Sequence, residues 1–480
     1  MHAAAPVSKM LASPSPAPTW TPQQRSDLHR TLASIFTDGI TESSTGMAVV
    51  AGDGTDLFSR RANRAVTPAS TLKLVVAASS LDALGPQHRF ETRFVATALP
   101  DAEGTVHGGI WLVGGGDPSL TRDQLRDGVG ALWRSGVRNV DGPIAIDDTA
   151  FSGPEQNPRW DSDDLTYGYA AGTSAISLDE DTVEFDVTPD PGGGAAKVRV
   201  VPENASISFE GKIASGGSSS YVSIERKPEL PTFGKDSADA PEPHNRYVLD
   251  GNIVQGETQQ FWKPVLGMPG YVGGVVASMF ATRGIGLAGG FRVAAAPPDA
   301  VTLWSHRSPP LADIVHEMLV NSNNHTAEQL LRIVGEQSGH PGTDAAGIAF
   351  EKRQLAELHV PRDSMAVYDG SGLAPSDRIL PATLAKLLAQ EARTAYGGVF
   401  VRSLPRVGFE GTVKDRNLQA ARGRTRAKSG HIENVNALAG FVQSRHHGRV
   451  AFAFVVNDRN ANADVVYDEV DRALDALSNF

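Results

Sequence analysis

The sequence contains no cysteine among its 480 residues. That absence excludes disulfide-stapled scaffolds, cysteine-ligated zinc sites and thiol nucleophiles as classes of structure and function. A run of 18 or more apolar residues is also lacking, so we expect no membrane-spanning helix. The lack of cysteine suits an exported protein, although many cytosolic proteins also have few cysteines.

An excess of basic charge is lacking as well. The formal net charge is −11 and the pI is about 5.6. This balance argues against bulk binding to nucleic acid or to an anionic membrane, because both need a basic face. Any attraction for an anionic substrate must therefore be local.

Residues 1–19 are rich in Ala, Pro and Ser and lack the apolar middle of a secretory signal. We interpret them as a disordered leader that remains after removal of a signal, and a cytosolic protein with a flexible start is the alternative.

Gly284–Gly289 matches the sequence pattern of a dinucleotide-binding fingerprint, but it follows a predicted helix rather than a strand. We therefore expect no organic cofactor, and no histidine pattern indicates a metal site.

Both ends of the chain carry strands and helices. The apolar periodicity predicts a helix over 22–37, a hairpin over 46–59, and a helix that starts at Thr67-Pro68 and ends at Gly85. Towards the other end it predicts a hairpin over 436–456 and a last helix from about residue 463. One sheet built from the two ends of the chain would accommodate these strands.

The middle of the chain has a different pattern. Residues 90–151 alternate between strand, turn and helix patterns, and residues 178–262 consist of short strands with many Gly and Pro residues. A Gly-rich helix near 271–283 and a linker at Ala296-Pro297-Pro298 lead back to a helical stretch. The middle is therefore predicted to be an insertion.

Three short motifs carry chemistry. They are Ser70-Thr71-Leu72-Lys73, Ser322-Asn323-Asn324 and Lys428-Ser429-Gly430. Taken alone, each is more often a helix cap or a solvated lysine. Each pattern occurs once in the chain, however, and the order and contexts are those that serine acyl transfer needs.

Residues three apart on a helix share a face, so Ser70 and Lys73 can touch. A serine hydroxyl is a poor nucleophile until a base removes its proton. Lysine serves as that base only when neutral, and lowering its pKa from about 10.4 to near 7 corresponds to about 4 kcal/mol. Burial supplies part of this energy, and the second ammonium of Lys428 supplies more.

The other motif residues receive roles by the same reasoning. Ser322 would relay a proton to the leaving amine, and Asn324 would hold Lys73 and the substrate amide. Lys428 and Ser429 would bind a carboxylate as a point charge and a hydroxyl donor.

Two backbone N–H groups complete the predicted site. The N–H of Ser70, at the start of its helix, would contribute to an oxyanion hole. A strand N–H near Gly430 and His431 would complete it.

The motifs resemble those of low-molecular-mass penicillin-binding proteins of the D-alanyl-D-alanine carboxypeptidase/endopeptidase type. Further matching stretches are Leu112–Pro118, Asp369–Leu373, Gly411–Arg416 and Asn436–Phe441. The resemblance covers roughly residues 22–480. Ser322 follows Ser70 by 252 residues. The chain therefore resembles those members of the family that carry a long insertion between the first two motifs.

The resemblance implies a mixed α+β fold in which a transpeptidase-like domain has an antiparallel sheet flanked by helices, with two smaller inserted domains. The predicted catalytic domain comprises residues 20–90 and 300–480. Domain II would comprise 91–178 and 262–299, and a β-rich domain III, residues 179–261, would be nested inside it.

The resemblance also implies the function. We expect an exported periplasmic or wall-associated hydrolase that forms an acyl-enzyme with peptidoglycan peptides ending in D-Ala-D-Ala and is acylated by β-lactam antibiotics. No metal, cofactor or nucleic acid is implied, and an oligomer is compatible with the sequence.

Two alternative functions are a catalytically weak wall-binding module and a β-lactamase. The long insertion disfavours the latter, as does the lack of a deacylating glutamate near the second motif, because Glu328 is predicted to be solvated.

A side pocket for the stem peptide is implied as well. It would use Asp164 and Tyr169, which follow a Trp-Asp segment, and Arg378 as a substitute for a family arginine. Two departures concern the third motif: Ser429 stands where Thr is commoner, and His431 stands where Ser or Thr is usual. The histidine removes a hydroxyl and can introduce pH sensitivity.

Overall fold

The computed structural model describes residues 20–36, 45–204, 206–227, 245–458 and 462–480. The chain divides into two compact units, one formed by residues up to 88 and from 310 onwards, the other by residues 89–309. The second unit is thus inserted into the sequence of the first. The predicted leader, residues 1–19, lies outside the described residues, and the nested three-domain boundaries stay predictions.

The first part of the outer unit contains two helices and two strands. They are α1 (Pro22–Ile35), β1 (Thr45–Ala51), β2 (Asp56–Arg60) and α2 (Lys73–Leu84). A capping box formed by Thr21 and Gln24 starts α1. Leu28 and Leu32, one turn apart on this helix, are fully buried.

The start of α2 differs from the prediction. A 3₁₀ turn spans Ala69–Leu72, and the α-helix begins only at Lys73. Ala69 has a φ of 46°, a left-handed conformation that costs a residue with a side chain about 1 kcal/mol or more. A regular helix from Pro68 is therefore excluded. Thr67 does not cap it, and its hydroxyl instead accepts a hydrogen bond from Arg378 at 2.7 Å.

The inserted unit is dominated by strands. Its elements are β3 (Glu91–Ala96), β4 (Thr105–Val106), β5 (Ile110–Val113), α3 (Arg122–Arg134), β6 (Asn139–Val140), β7 (Ile144–Asp147), β8 (Thr182–Thr188), β9 (Lys197–Val201), β10 (Ile207–Gly211), β11 (Ala214–Ser215), β12 (Tyr221–Arg226), β13 (Asn245–Ile253), β14 (Gln259–Pro264), α4 (Met268–Arg283), β15 (Gly286–Leu287), β16 (Phe291–Val293) and β17 (Val301–Arg307).

Within this unit, α3 and α4 pack against the five-stranded sheet ordered β16-β7-β5-β3-β17. Their apolar faces meet strand residues such as Phe94 and Ile146 in one buried cluster. Strands β8 to β14 build a four-stranded and a three-stranded sheet, which agrees with the predicted abundance of short strands in residues 178–262, and β15, β6 and β4 form a further small sheet.

The chain then returns to the outer unit. The remaining elements are α5 (Leu311–Asn321), α6 (Asn324–Glu336), α7 (Asp344–Glu357), β18 (Met365–Ala366), β19 (Arg378–Ile379), α8 (Pro381–Glu391), α9 (Gly397–Ser403), β20 (Thr425–Ile432), β21 (Val435–Ser444), β22 (Gly448–Asn457) and α10 (Ala463–Asn479).

An antiparallel sheet joins the two ends of the chain, in the order β2-β1-β22-β21-β20. Strand β1 pairs with β22, so that Met47 lies opposite Phe454. Phe452 and Phe454 pack with α1 and α10, while α8 contacts β1 and β22. Because both faces are covered, Ala451, Ala453 and Val455, which alternate with those aromatic residues, are buried as well. The predicted mixed α+β fold with a sheet built from both chain ends is confirmed.

Candidate active site

Ser70 and Lys73 face each other at the start of α2. Lys73 Nζ lies 2.8 Å from Ser70 Oγ, so the contact predicted from the sequence is present. The 3₁₀ turn contributes to it, because side chains at i and i+3 eclipse in that geometry. The lysine is fully buried.

Two further acceptors hold the amine of Lys73. Its Nζ donates to Asn324 Oδ1 at 2.7 Å and to the carbonyl oxygen of Ser371 at 2.8 Å. A neutral amine has two N–H donors and one lone pair. With the donors directed at Asn324 and Ser371, the lone pair is left for the Ser70 hydroxyl, which is the arrangement a general base requires.

Burial lowers the pKa of Lys73 to about 7, although the negative charges of Asp369 and Glu328 act to raise it. Burial and repulsion from Lys73 lower the pKa of Lys428 well below its usual range. Lys73 therefore acts on Lys428, and the predicted lowering of the Lys73 pKa by the Lys428 ammonium stays a prediction.

The second motif lies at the junction of two helices. Helix α5 ends at Asn321, and Ser322 follows in the left-handed conformation with φ 60°. The side chain of Asn323 accepts the N–H of Thr326 at 2.9 Å and so caps α6, whose first residue is Asn324. Asn324 thus contacts Lys73, and Ser322 stands two residues before it. The proton relay through Ser322 stays a prediction.

The third motif lies on β20, at the edge of the sheet, directly against the start of α2. A Cβ added at Gly430 would lie 2.8 Å from the carbonyl oxygen of Pro68 and 3.1 Å from the backbone nitrogen of Ser70. Only glycine lets the strand come this close to the turn that carries Ser70. The position therefore brings strand and turn backbones together where the oxyanion hole was predicted.

The side chains of this strand have defined partners. Lys428 Nζ donates to the carbonyl oxygen of Ser429 at 2.6 Å, and Ser429 Oγ lies 2.6 Å from Thr412 Oγ1. His431 is exposed, and its Nδ1 lies 3.1 Å from Asn436 Oδ1. Ser429 and His431 alternate with Gly430 along the strand and so share a face.

The predicted side-pocket residues are divided between the two units. Arg378, in the outer unit, is exposed and donates to Thr67 Oγ1 and to the carbonyl oxygen of Pro375. Asp164 and Tyr169, in the inserted unit, contact each other, because the Tyr169 hydroxyl donates to Asp164 at 2.7 Å. Their predicted role in substrate binding stays a prediction.

The expectation for Glu328 is wrong. The side chain is buried rather than solvated, and its carboxyl group accepts the backbone N–H groups of Gly370 and Ser371. Burial and the neighbouring Asp369 raise the pKa of Glu328 to about 8. With both oxygens used by the backbone, the residue has no evident role in activating a deacylating water.

A buried acidic loop supports this part of the site. Asp369 accepts the N–H groups of Gly372 and Ala374, both at 2.8 Å. Burial and then Asp369 raise the pKa of Asp377 to about 10. Among the described residues, no group of three or more His, Asp or Glu side chains is placed to hold a metal ion.

The model of the D-Ala-D-Ala carboxypeptidase 3 (S13) family matches residues 28–478 of this chain. The chain belongs to this family. The predicted resemblance to carboxypeptidase-type penicillin-binding proteins with a long insertion is thereby confirmed.

Across the described residues of this S13 protein, no helix is both long and apolar enough to cross a membrane.

Individual relatives extend the comparison. The D-alanyl-D-alanine carboxypeptidase of Actinomadura sp. (strain R39) is 27% identical over 97% of this chain and 87% of its own length. The crystal structure of penicillin binding protein 4 from Haemophilus influenzae superposes with a TM-score of 0.76 at 21% identity, over 95% of this chain and 99% of that one. A predatory endopeptidase from Bdellovibrio bacteriovorus acylated by penicillin G gives a TM-score of 0.51 at 15% identity, over 90% and 93% of the two chains.

Proposed function

We propose that this S13 protein is a serine D-Ala-D-Ala carboxypeptidase/endopeptidase that acts on peptidoglycan stem peptides through an acyl-enzyme. The observation that carries the proposal is the 2.8 Å contact between Ser70 and a fully buried Lys73. Family membership and the names of the relatives support the reaction and the substrate class.

In the acylation step, Ser70 Oγ attacks the carbonyl carbon of the penultimate D-alanine. Lys73, as the free amine, takes the hydroxyl proton. The backbone N–H of Ser70 and a strand N–H next to Gly430 donate to the developing oxyanion. The peptide bond then breaks, and its nitrogen receives a proton through Ser322.

The leaving group is free D-alanine in a carboxypeptidase reaction and a second peptide in an endopeptidase reaction. A water molecule then attacks the ester at Ser70, and hydrolysis regenerates the serine and releases the shortened peptide. Lys428 and Ser429 bind the carboxylate of the leaving residue during acylation, and His431 lies on the same face of the strand. β-Lactams present a similar amide and carboxylate and acylate Ser70.

Recognition of the rest of the stem peptide by Asp164, Tyr169 and Arg378 belongs to the same proposal. So does export to the periplasm or cell wall, where such peptides occur. Both are implied by the resemblance to carboxypeptidase-type penicillin-binding proteins.

Labelling with a fluorescent penicillin tests the proposal. Stable labelling that adds one drug mass and disappears in Ser70→Ala is expected, together with release of D-alanine from a wall pentapeptide. Absence of labelling would favour a catalytically weak wall-binding module. Rapid release of hydrolysed drug without D-alanine release would favour a β-lactamase.

A further inference from the structure

Positive charge is concentrated next to the third motif. Residues 402–428 contain eight basic and two acidic residues, whereas the whole chain has a net charge of −11. The remainder of the protein is therefore strongly acidic. An acidic partner would be repelled by most of the surface and attracted to this segment.

The structure gathers part of this charge around an exposed aromatic ring. Phe409 is 48% exposed, and the guanidinium groups of Arg406 and Arg422 lie 5.4 and 5.0 Å from its centroid. Arg426 is close enough to Arg406 and Arg402 for their repulsion to add to burial in lowering its pKa. We call these five residues the arginine–phenylalanine patch.

One acid lies within the patch. Glu410 accepts a hydrogen bond from Arg406 Nε at 2.7 Å and also attracts Arg426. Four arginines against one glutamate leave a clear positive excess. Arg402, Arg406 and Arg422 are exposed, so their charges are available to a ligand.

The patch runs along the edge strand towards the candidate active site. The segment 402–422, which carries four of the five patch residues, lies beside β20. Near its start, the carbonyl oxygen of Pro405 accepts a hydrogen bond from the N–H of Ala427 in β20 at 3.1 Å. Further along the segment, Thr412 Oγ1 lies 2.6 Å from Ser429 Oγ. Arg426 precedes Ser429 by three residues, about 10 Å along a strand.

The strand that carries Arg426 therefore also carries Ser429, about 10 Å further along, where the leaving residue's carboxylate binds in the proposed function, on which this step rests. Free D-alanine ends at that carboxylate and offers nothing that could extend further. In a cross-linked substrate the leaving residue belongs to a second peptide, whose own carboxylates continue past Ser429.

We infer that the arginine–phenylalanine patch is an interaction surface for the carboxylate-bearing leaving peptide of a cross-linked substrate. Guanidinium groups bind carboxylates in planar, bidentate geometry, and the exposed ring of Phe409 supplies apolar contact area between two of them. The patch thus favours endopeptidase action over simple removal of D-alanine.

The experiment compares two reactions of the same full-length protein. The double variant Arg406→Ala/Arg422→Ala is assayed for D-alanine release from a wall pentapeptide and for cleavage of a purified cross-linked peptide dimer. We expect kcat/KM for the dimer to fall about 3- to 10-fold, the effect of losing two exposed ionic contacts. D-Alanine release and penicillin acylation should stay within about twofold of the wild type, which also shows that the variant is folded.

Two controls isolate the patch. Arg30→Ala/Arg472→Ala removes the same charge from arginines paired with Asp27 and Asp468, and it should leave both reactions unchanged. Arg406→Lys/Arg422→Lys keeps the charge and should retain most dimer cleavage. In the wild type, cleavage of the dimer should weaken more with added salt than D-alanine release does.

The inference is overturned if the double alanine variant cleaves the dimer as well as the wild type does, or if both reactions fall equally. It is also overturned if the wild type releases D-alanine but does not cleave the dimer. A wild-type protein that neither releases D-alanine nor binds penicillin would instead refute the proposed function.

Discussion

Glu328 holds the backbone of Ser371, whose N–H donates to Glu328 Oε1 at 2.8 Å. The N–H of Gly370 donates to the same carboxyl group. The carbonyl oxygen of Ser371 in turn accepts a hydrogen bond from Lys73 Nζ at 2.8 Å. Glu328 therefore fixes one acceptor of the proposed base without needing to touch the substrate.

Replacing Glu328 by alanine should lower the rate constant of penicillin acylation about tenfold or more. The change leaves two buried N–H groups without their acceptor, at a cost of about 1–3 kcal/mol each, and releases the Ser371 carbonyl from its position. Glu328→Gln keeps one acceptor oxygen and should recover much of the rate. Stopped-flow acylation kinetics would separate this rate constant from the dissociation constant of the drug, which we expect to change little.

Glu351 offers a matched control for the loss of a buried acid. It is fully buried, burial raises its pKa well above the usual range, and neither carboxyl oxygen has a hydrogen-bond partner within the part of the chain described. Glu351→Gln should therefore leave acylation close to wild type. Equal losses in Glu351→Gln and Glu328→Ala would indicate a general effect of the acidic interior.

The mistake about Glu328 shows where sequence reasoning stops. The residue lies four positions after Asn324, so helical geometry already places both on one face of α6. A glutamate on a helix is usually solvated, however, and only the packing of the 369–373 loop onto that face buries it. The spacing of Asn324 and Glu328 can be seen in the sequence, but the tertiary contact that buries Glu328 cannot.

Contacts within one turn or hairpin could be predicted, and contacts between distant segments could not. The Ser70–Lys73 pair follows from i,i+3 spacing, and the terminal hairpin follows from two apolar runs joined by a short turn. The 3₁₀ start of α2 depends on the positive φ of Ala69, which no residue preference indicates. The pairing of Thr412 with Ser429 likewise required the folded chain.

Acylation should depend on pH through Lys73. Burial lowers the pKa of Lys73 to about 7, and only the neutral amine accepts the Ser70 proton. The lysine is protonated below that pH, so the acylation rate should fall as pH falls through 7 and level off above it. Second-order rate constants with benzylpenicillin between about pH 5 and pH 9 check this. A flat profile, or a limb centred near pH 10, would contradict a neutral Lys73.

Gly430→Ala should impair acylation. The added Cβ would lie 2.8 Å from the carbonyl oxygen of Pro68. Strand β20 and the turn before Ser70 would therefore have to separate. Displacing one oxyanion donor should reduce the acylation rate about 10- to 100-fold. Gly398→Ala is the control, because its Cβ would meet only the end of the Arg402 side chain at 3.4 Å. A G430A protein that reacts with penicillin at the wild-type rate would exclude this view of the oxyanion hole.

Thr412 should contribute to binding of the substrate carboxylate, although it lies outside all three motifs. Its hydroxyl lies 2.6 Å from that of Ser429, and one proton of the pair remains for a third acceptor. Thr412→Val should raise KM for a D-Ala-D-Ala peptide about 3- to 10-fold, equivalent to about 1 kcal/mol, with little change in kcat. Thr412→Ser keeps the hydroxyl and should behave as wild type. Equal losses in both variants would mean that the methyl group of Thr412, rather than its hydroxyl, is what the site requires.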